Sequence, residues 1–320
     1  MTDYKTLHGR KIKHFSSDPP GSVSEGQIWY NTAATEYKSS VLVAAWSSGT
    51  GINTARQGHM TAGTTPAALV FGGNPGQKAN SEEWDGSSWA EGDDLVNARG
   101  AGGGMGTQTA ALAAGGSPFT NHTEEYNGSS WSETANMGTA RQNNSYAGTQ
   151  TAGLTAGGQV SGGTVIAASE EYNGTAWTEG DNPSAGRIGH SCFGIQTAAV
   201  IATGDDDTTR LANVEEYNGT SWTEVTDIPT VRQNGSGAGI LTNGLVFAGN
   251  APGGVTNNTL SYDGTNWSAQ PSMATARQAA GYGTLGTKAS TFAMGGETPP
   301  VVSTLEEFSI AGTVKVITDS

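Results

Sequence analysis

An arginine follows a tryptophan at a fixed distance of ten residues in six successive stretches of the chain. The arginines are Arg56, Arg99, Arg141, Arg187, Arg232 and Arg277, and the tryptophans are Trp46, Trp89, Trp131, Trp177, Trp222 and Trp267. A guanidinium presents a fork of donors that suits a carboxylate, a sulfate or a phosphate. If the stretches close into a ring, the six arginines could together bind an acidic ligand.

Paired glutamates offer the arginines a different partner. Two adjacent glutamates precede an aromatic residue in five stretches. These motifs are Glu82-Glu83-Trp84, Glu124-Glu125-Tyr126, Glu170-Glu171-Tyr172, Glu215-Glu216-Tyr217 and Glu306-Glu307-Phe308, and the remaining stretch has Leu260-Ser261-Tyr262. Each arginine could pair with one of these glutamates. We favour this alternative, because a partly buried charge without a partner costs several kcal/mol.

The paired glutamates do not predict a catalytic site. Neighbouring residues on a β-strand point to opposite faces of the sheet, so the two carboxylates of one motif cannot act on the same bond. The stretch that differs, Leu260-Ser261-Tyr262, has lost its acids and gained no other reactive group. We therefore expect a protein that is not an enzyme.

The remaining reactive residues form no recognisable centre. Cys192 is the only cysteine, and together with His190 it is too little for zinc. Asp205-Asp206-Asp207 lacks the alternate ligand spacing and the bidentate glutamate of a calcium loop, so a solvated loop is expected there. We expect neither a metal nor a cofactor.

The elements that carry these motifs read as short strands. Of 320 residues 48 are glycine, a density that excludes a helical bundle. Asn-Gly and Asp-Gly steps follow the glutamate motifs and favour tight turns, as at Asn127-Gly128. A pair of small residues, such as Gly72-Gly73, ends an apolar run in each stretch. About four short strands in each 42 to 46 residues predict the blades of an all-β propeller.

The two ends of the chain suggest how the ring closes. The last stretch ends at Phe308 without a following tryptophan, and Trp46 has no clear glutamate motif before it. A strand carrying Trp46 would complete the last blade and give six blades. Seven blades stay open, since Val314-Lys315-Val316-Ile317 could be an outer strand and Glu36-Tyr37-Lys38 a weak seventh motif.

The repeat resembles the kelch repeat. The shared features are the small-residue pair, the Tyr and Trp a few residues apart, and the stretch Met137-Gly138-Thr139-Ala140-Arg141, over about residues 46 to 312. The resemblance implies a six-bladed kelch-like propeller whose arginines lie near the mouth of a central funnel. The recurring aromatic residues are expected to pack between blades.

The amino-acid sequence of the repeat also resembles that of repeats in tailed-phage structural proteins, especially those of marine phages. Gly106-Thr107-Gln108-Thr109-Ala110-Ala111-Leu112 carries this similarity, and Gly26-Gln27-Ile28-Trp29-Tyr30-Asn31-Thr32 resembles the N-terminal hairpin of phage tail and fibre proteins. The resemblance implies a virion component, made in the host cytoplasm and present in several copies of a symmetric assembly.

The N-terminal segment differs in charge from the rest. Its basic residues are Lys5, Arg10, Lys11 and Lys13, although the whole chain has a formal net charge of −14. We expect residues 1–40 to form a docking arm and hairpin, with Asp18-Pro19-Pro20-Gly21 as a linker, and residues 41–320 to form the propeller. Trp29 and Tyr30 complete the expected docking residues. A frayed terminus is the alternative.

The net charge and the hydropathy of the chain exclude two classes of binding partner. An acidic chain is a poor match for nucleic acid, and no run of 18 apolar residues predicts membrane insertion. The expected function is that of a virion structural protein whose arm docks a displayed propeller onto a tail, fibre or capsid, with host-surface glycan as a further partner. The alternative is a free carbohydrate-binding lectin or a carbohydrate-active enzyme on the same fold.

Overall fold

The computed structural model describes residues 12–18, 27–283 and 286–317, and these residues form β-strands without any helix. Two compact units divide the chain. Unit 1 comprises Met1–Ala45 and Ser309–Ser320, and unit 2 comprises Trp46–Phe308. The boundary expected at residue 40 is thus corrected, because the C-terminal residues belong with the N-terminal ones and not with the propeller.

Unit 1 is organised around a small sheet. It contains β1 (Lys13–Phe15) and β2 (Ile28–Asn31), which pair in parallel, and the first part of β3 (Glu36–Gly49), which pairs antiparallel with β2. The side chain of Asp18 accepts hydrogen bonds from Trp29 Nε1 (3.3 Å), Asn31 Nδ2 (2.8 Å) and Lys38 Nζ (2.9 Å). Asp18 is therefore a structural residue of the hairpin and not part of a linker, and residues 19–21 lie outside the described residues.

Unit 2 contains five blades of four antiparallel strands. Blade 1 comprises β4 (Met60–Thr64), β5 (Ala67–Phe71), β6 (Ser81–Trp84) and β7 (Trp89–Glu91). Blade 2 comprises β8 (Gly103–Thr107), β9 (Ala110–Ala114), β10 (Thr123–Tyr126) and β11 (Trp131–Glu133), and blade 3 comprises β12 (Ser145–Thr149), β13 (Ala152–Ala156), β14 (Ser169–Tyr172) and β15 (Trp177–Glu179). Blade 4 comprises β16 (Ser191–Ile195), β17 (Ala198–Ala202), β18 (Val214–Tyr217) and β19 (Trp222–Val225), and blade 5 comprises β20 (Ser236–Ile240), β21 (Asn243–Phe247), β24 (Thr259–Tyr262) and β25 (Trp267–Gln270), with an added hairpin of β22 (Asn250–Ala251) and β23 (Gly254–Val255) between β21 and β24. The Asn-Gly and Asp-Gly steps join the third and fourth strands, as predicted.

The sixth blade is completed by the N-terminal part of unit 2. Its strands are β27 (Ser290–Met294), the beginning of β28 (Leu305–Val316) and the end of β3. The short strand β26 (Tyr282–Gly283) precedes β27 in the chain and pairs with β4 and β8. The sheet order runs β3, β28, β27, and the rings of Trp46 and Phe308 lie 5.2 Å apart, like the Tyr–Trp pairs of the other blades. The predicted closure is confirmed. The segments 36–38 and 314–317 lie in unit 1, so the propeller has six blades.

A closed ring of backbone hydrogen bonds joins all six blades. Its members, here called the axial ring, are Gly58, Ala101, Asn143, Gly189, Asn234 and Ala279. Each N–H donates to the carbonyl of the preceding member, at 2.6–3.0 Å, and Gly58 N–H donates to Ala279. All six have φ between 52° and 58°, the left-handed region that non-glycine residues adopt at a cost of about 1–2 kcal/mol. The ring satisfies six polar backbone pairs next to the propeller axis.

The centre of the propeller is packed rather than open. Strand β26 pairs in parallel with both β4 and β8. A side chain at Gly283 would lie 2.3 Å from the Thr61 carbonyl and 2.4 Å from the Gly104 carbonyl, so this approach requires glycine. The two axial cavities hold about 10 Å³ each, close to the smallest volume that accommodates one water. These two cavities, lined by described residues, are too small for a larger ligand.

The aromatic residues pack between adjacent blades, as predicted. Trp131 of blade 2 lies 4.7 Å from the Phe71 ring of blade 1. Trp177 of blade 3 donates from Nε1 to Thr123 of blade 2 at 3.0 Å, and Trp46 donates to Thr259 of blade 5 at 2.9 Å. These tryptophans belong to the core of the ring and are not free stacking platforms.

Candidate functional site

The six repeat arginines lie in the segments that enter the blades, and their side chains are 0–1% exposed. Five of them form a buried ion pair with the first glutamate of a motif on the third strand of the blade. The Nη2–Oε1 distances are 2.6 Å for Arg56–Glu82, 2.9 Å for Arg99–Glu124, 2.5 Å for Arg141–Glu170, 2.5 Å for Arg187–Glu215 and 3.0 Å for Arg277–Glu306. The predicted pairing of arginine with glutamate is confirmed for these five.

The side chains of each ion pair also form hydrogen bonds with backbone groups. Arg141 Nη1 donates to the carbonyls of Gly157 (3.1 Å) and Ala168 (2.6 Å), while Glu170 accepts from the backbone N–H groups of Gly138 (2.6 Å) and Thr139 (3.1 Å). Burial lowers the pKa of Arg56, Arg99, Arg187 and Arg277, and the neighbouring carboxylate opposes that shift. The guanidinium thus clamps the connection between two blades onto the third strand of the next.

The hypothesis of a ligand-binding arginine ring is corrected by this burial. None of Arg56, Arg99, Arg141, Arg187, Arg232 and Arg277 presents its guanidinium to solvent. A carboxylate supplied by the chain itself already occupies the fork in five cases, and desolvating such a charge without a partner would be costly. The five paired arginines are structural residues.

The second glutamate of each motif connects neighbouring blades. Tyr172 donates to Glu125 at 2.8 Å and Tyr262 donates to Glu216 at 2.8 Å, while Tyr126 and Tyr217 donate in the same way to Glu83 and Glu171. Burial, followed by the carboxylate, raises the pKa of Tyr126, Tyr217 and Tyr262. One glutamate of the motif is buried and the other half-buried, so the expected division between the two faces of the strand is confirmed.

Two further repeated residues have structural roles that the sequence did not reveal. Gln108 donates from Nε2 to the carbonyls of Ala68 (3.1 Å) and Trp84 (2.7 Å) on the preceding blade, and Gln150 and Gln196 do the same on theirs. The second residue of each small pair donates its N–H to the carbonyl of the next blade's arginine, as Gly73 does to Arg99 at 2.8 Å. These repeated residues therefore hold neighbouring blades together through hydrogen bonds to the backbone.

The expected docking residues fall into three groups. Lys5, Arg10 and Lys11 lie outside the described residues, and Lys13 begins β1. Trp29 is 1% exposed and bonded to Asp18, so its assignment as a docking residue is corrected to a core residue of the hairpin. Tyr30 is half-buried, and its ring lies 5.3 Å from that of His14 and 5.0 Å from that of Tyr37.

Cys192 and His190 are buried, and Asp205-Asp206-Asp207 lies in a loop. Burial raises the pKa of the Cys192 thiol to about 12 and lowers the pKa of His190 to about 3. Asp206 caps its own loop by accepting from the N–H groups of Thr208 (2.8 Å) and Thr209 (2.7 Å). Within the described ranges, no three His, Cys, Asp or Glu side chains are placed to share a metal ion.

A polar surface surrounds the axial ring. Each member of the ring follows a residue that forms an isolated bridge with the loop between the second and third strands of its blade. Seven of these bridging residues carry amides and are half-buried, and we call them the amide collar: Gln57, Asn74, Gln142, Gln159, Gln233, Asn250 and Gln278. Four of its members are the glutamines that directly follow a repeat arginine, a dipeptide visible in the sequence.

The collar is the surface whose chemistry best suits a ligand. Amides both donate and accept hydrogen bonds, as a hydroxyl-rich ligand requires. Within the collar Gln142 donates to Gln159 at 3.4 Å, Gln278 donates to Glu297 at 3.0 Å, and Asn250 accepts from Arg210 at 3.2 Å. The collar residues themselves are neutral amides, and the Glu297 carboxylate and the Arg210 guanidinium are bonded to two of them.

Comparison with known proteins supports the fold alone. No protein-family model matches the sequence, and no curated protein matches it. Among solved structures, the chain is similar to the one described as "Structure of YjhT", with a TM-score of 0.68 and 11% sequence identity, over 83% of this chain and 99% of that one. The described part of the chain holds no helix with the length and hydropathy of a membrane span.

Proposed function

We propose that this chain is a non-enzymatic structural protein of a tailed-phage virion, in which unit 1 docks on another virion protein and the propeller is displayed. The similarity of the repeat and of the N-terminal hairpin to phage structural proteins supports the assignment. Multiple copies in a symmetric assembly, on a tail, fibre or capsid, follow from the same proposal.

The observation that carries the docking role is the distribution of exposed apolar side chains. Among the described residues, nine of the twelve large apolar side chains that are exposed lie in unit 1, although unit 1 is much the smaller. These are Ile12, Phe15, Ile28, Tyr37, Leu42, Val43, Val314, Val316 and Ile317. Clustered exposed apolar residues mark interaction surfaces. The propeller exposes only Val96, Ile195 and Ile240 among those described.

The propeller's acids support a non-enzymatic role. The first glutamates are committed to buried ion pairs, and four of the second glutamates accept from tyrosines. A glycosidase requires two carboxylates that flank a bond at a suitable separation. The amide collar instead offers neutral donors and acceptors, and we assign it contact with host-surface glycan.

The first test is mass spectrometry and cryo-electron microscopy of purified particles. The proposal expects the chain at many copies with unit 1 against the particle. The double variant Leu42→Ser, Val314→Thr should lower incorporation, as should deletion of residues 1–20. The matched control is Ile195→Ser, Ile240→Ser, which removes exposed apolar residues from the propeller. Wild-type incorporation of both docking variants would overturn the docking role.

A free carbohydrate-binding lectin is the second candidate, and the amide collar favours it. If the chain is absent from particles and the purified protein binds glycans, this candidate replaces the first. The collar variant Gln142→Ala, Gln233→Ala should then lose glycan binding. Thr151→Ala, in the turn at the opposite end of the blade, should keep it, and equal binding by both variants would exclude the collar.

A further inference from the structure

Arg232 differs from the other repeat arginines in having no carboxylate. Its blade carries Leu260 where the other blades carry the first glutamate. Arg232 donates from Nη1 to the carbonyls of Ala248 (2.9 Å) and Asn258 (3.0 Å), but its Nε and Nη2 have no hydrogen-bond partner in the described structure. The side chain is 0% exposed. A fully buried positive charge is therefore left uncompensated in blade 5.

The other blades show what an anion at this place would contact. Glutamate Oε1 accepts from arginine Nη2 and from the N–H two residues before the arginine, as in Thr54 (3.0 Å) and Thr275 (3.1 Å). Glutamate Oε2 accepts from the N–H three residues before it, as in Asn53 (2.6 Å) and Ala274 (2.6 Å). Each carboxylate oxygen thus has its own donors.

Blade 5 has lost the donors of one oxygen position and kept those of the other. Pro229 stands three residues before Arg232 and has no N–H to donate. Thr230, two residues before, retains its N–H, and Arg232 retains Nη2. A leucine side chain ends one bond short of the position that glutamate oxygens reach. The donors that remain are those of a single atom at the Oε1 position.

We propose that blade 5 binds a small single-atom anion, chloride in the cell, between Arg232 Nη2 and the backbone N–H of Thr230. The anion supplies the charge that a glutamate supplies in the other blades. Phosphate, sulfate and carboxylates need space and a donor for at least one further oxygen atom, and Pro229 lacks the N–H that serves the second oxygen in the other blades. Pro229 is exposed and Thr230 half-buried, so this segment separates the site from solvent.

The direct test is a crystal of the wild-type protein soaked in bromide, with anomalous diffraction locating the ion. The expected result is a peak in contact with Arg232 Nη2 and no peak at Arg56, Arg99, Arg141, Arg187 or Arg277, which serve as internal controls. An adventitious ion only, with peaks confined to surface cations, would overturn the proposal.

A solution test uses thermal unfolding in chloride and in gluconate at a constant ionic strength of about 0.15 M. The wild type should unfold at a higher temperature in chloride, because a ligand that binds only the folded state stabilises it. The variant Pro229→Ala, Leu260→Glu restores the clamp of the other blades and should lose the difference between the two salts. The variant Arg232→Met should lose it as well. A difference that persists in either folded variant would contradict the site, as would none in the wild type.

Discussion

Tyr262 on β24 of blade 5 donates a hydrogen bond from its hydroxyl to Glu216 Oε1 on β18 of blade 4, at 2.8 Å. Glu216 is the second glutamate of its motif, and Tyr262 is the aromatic residue of the next. Three other neighbouring blades are joined in the same way. Blade 6 has Phe308, without a hydroxyl, and the preceding motif has Ser261 in place of the glutamate. Donor and acceptor are thus both absent between blades 5 and 6, whereas blade 6 keeps Glu307 although the following motif ends in Trp84.

The substitution Tyr262→Phe tests how much this hydrogen bond contributes to the free energy of unfolding. It removes one hydrogen bond to a charged group that keeps some access to water, so we expect the free energy of unfolding to fall by about 1 kcal/mol. Equilibrium urea unfolding measures the loss. Glu216→Gln and the double variant complete a cycle whose coupling should carry most of it. Tyr37→Phe, at an exposed tyrosine of unit 1, is the control, and equal losses for the two tyrosines would refute the inter-blade role.

Glu170→Leu copies into blade 3 the leucine that blade 5 carries naturally. It leaves Arg141 buried without its counter-charge, and removing one partner of a buried pair typically costs about 3–5 kcal/mol. Adding Arg141→Met should recover much of the loss, since a pair replaced by apolar residues is often tolerated. Urea unfolding of the single and double variants checks both expectations.

The control for that series is Glu179→Leu, an exposed glutamate on β15 of the same blade. Exposed substitutions usually change stability by less than about 0.5 kcal/mol. If Glu170→Leu were as mild as this control, the buried ion pair would not be the clamp that its geometry indicates.

The sequence predicted the fold well because each unit repeats its motifs in register. Spacing of the tryptophans, the Asn-Gly turns and the unmatched ends at Trp46 and Phe308 were sufficient for the strands and for closure. Pairing of arginine with glutamate also followed, since a buried charge requires a partner.

The axial ring and the amide collar did not follow from the sequence. Ala101 and Ala279 hold left-handed φ values that residue type alone does not signal, because alanine normally avoids them. The ring exists only once six distant segments meet, so no local pattern reports it. The burial of Trp29 could not be predicted either, because it depends on a contact with Asp18, eleven residues earlier in the chain.

Replacing an alanine of the axial ring by glycine should relieve strain. Ala101 has φ of 53°, a conformation that glycine adopts without steric cost. We expect Ala101→Gly to raise the free energy of unfolding by up to about 1 kcal/mol, after the greater freedom of glycine in the unfolded chain is deducted. Ala55→Gly, an exposed alanine outside the left-handed region, should lower it by about 0.4–1 kcal/mol. Thermal or urea unfolding that shows the same sign for both would contradict the strain.

The buried histidines should make the propeller sensitive to acid. Burial, reinforced by the charges of Arg56 and Arg187, lowers the pKa of His59 and of His190 to about 3, whereas an unfolded histidine titrates near 6.5. Above pH 6.5 both states are neutral and this contribution to stability is complete. Between pH 6.5 and 3 only the unfolded chain takes up the protons, so stability falls by about 1.4 kcal/mol per pH unit for each histidine.

His190→Asn tests this with a residue the fold already accepts, because Asn144 occupies the same position in blade 3 and is buried there. Urea unfolding between pH 7 and pH 4 should show a slope that is shallower than wild type by about 1.4 kcal/mol per pH unit. Combining it with His59→Asn should double the change, since the two histidines enter different blades and titrate independently. A wild-type slope in the double variant would mean that the acid sensitivity arises from the carboxylates alone.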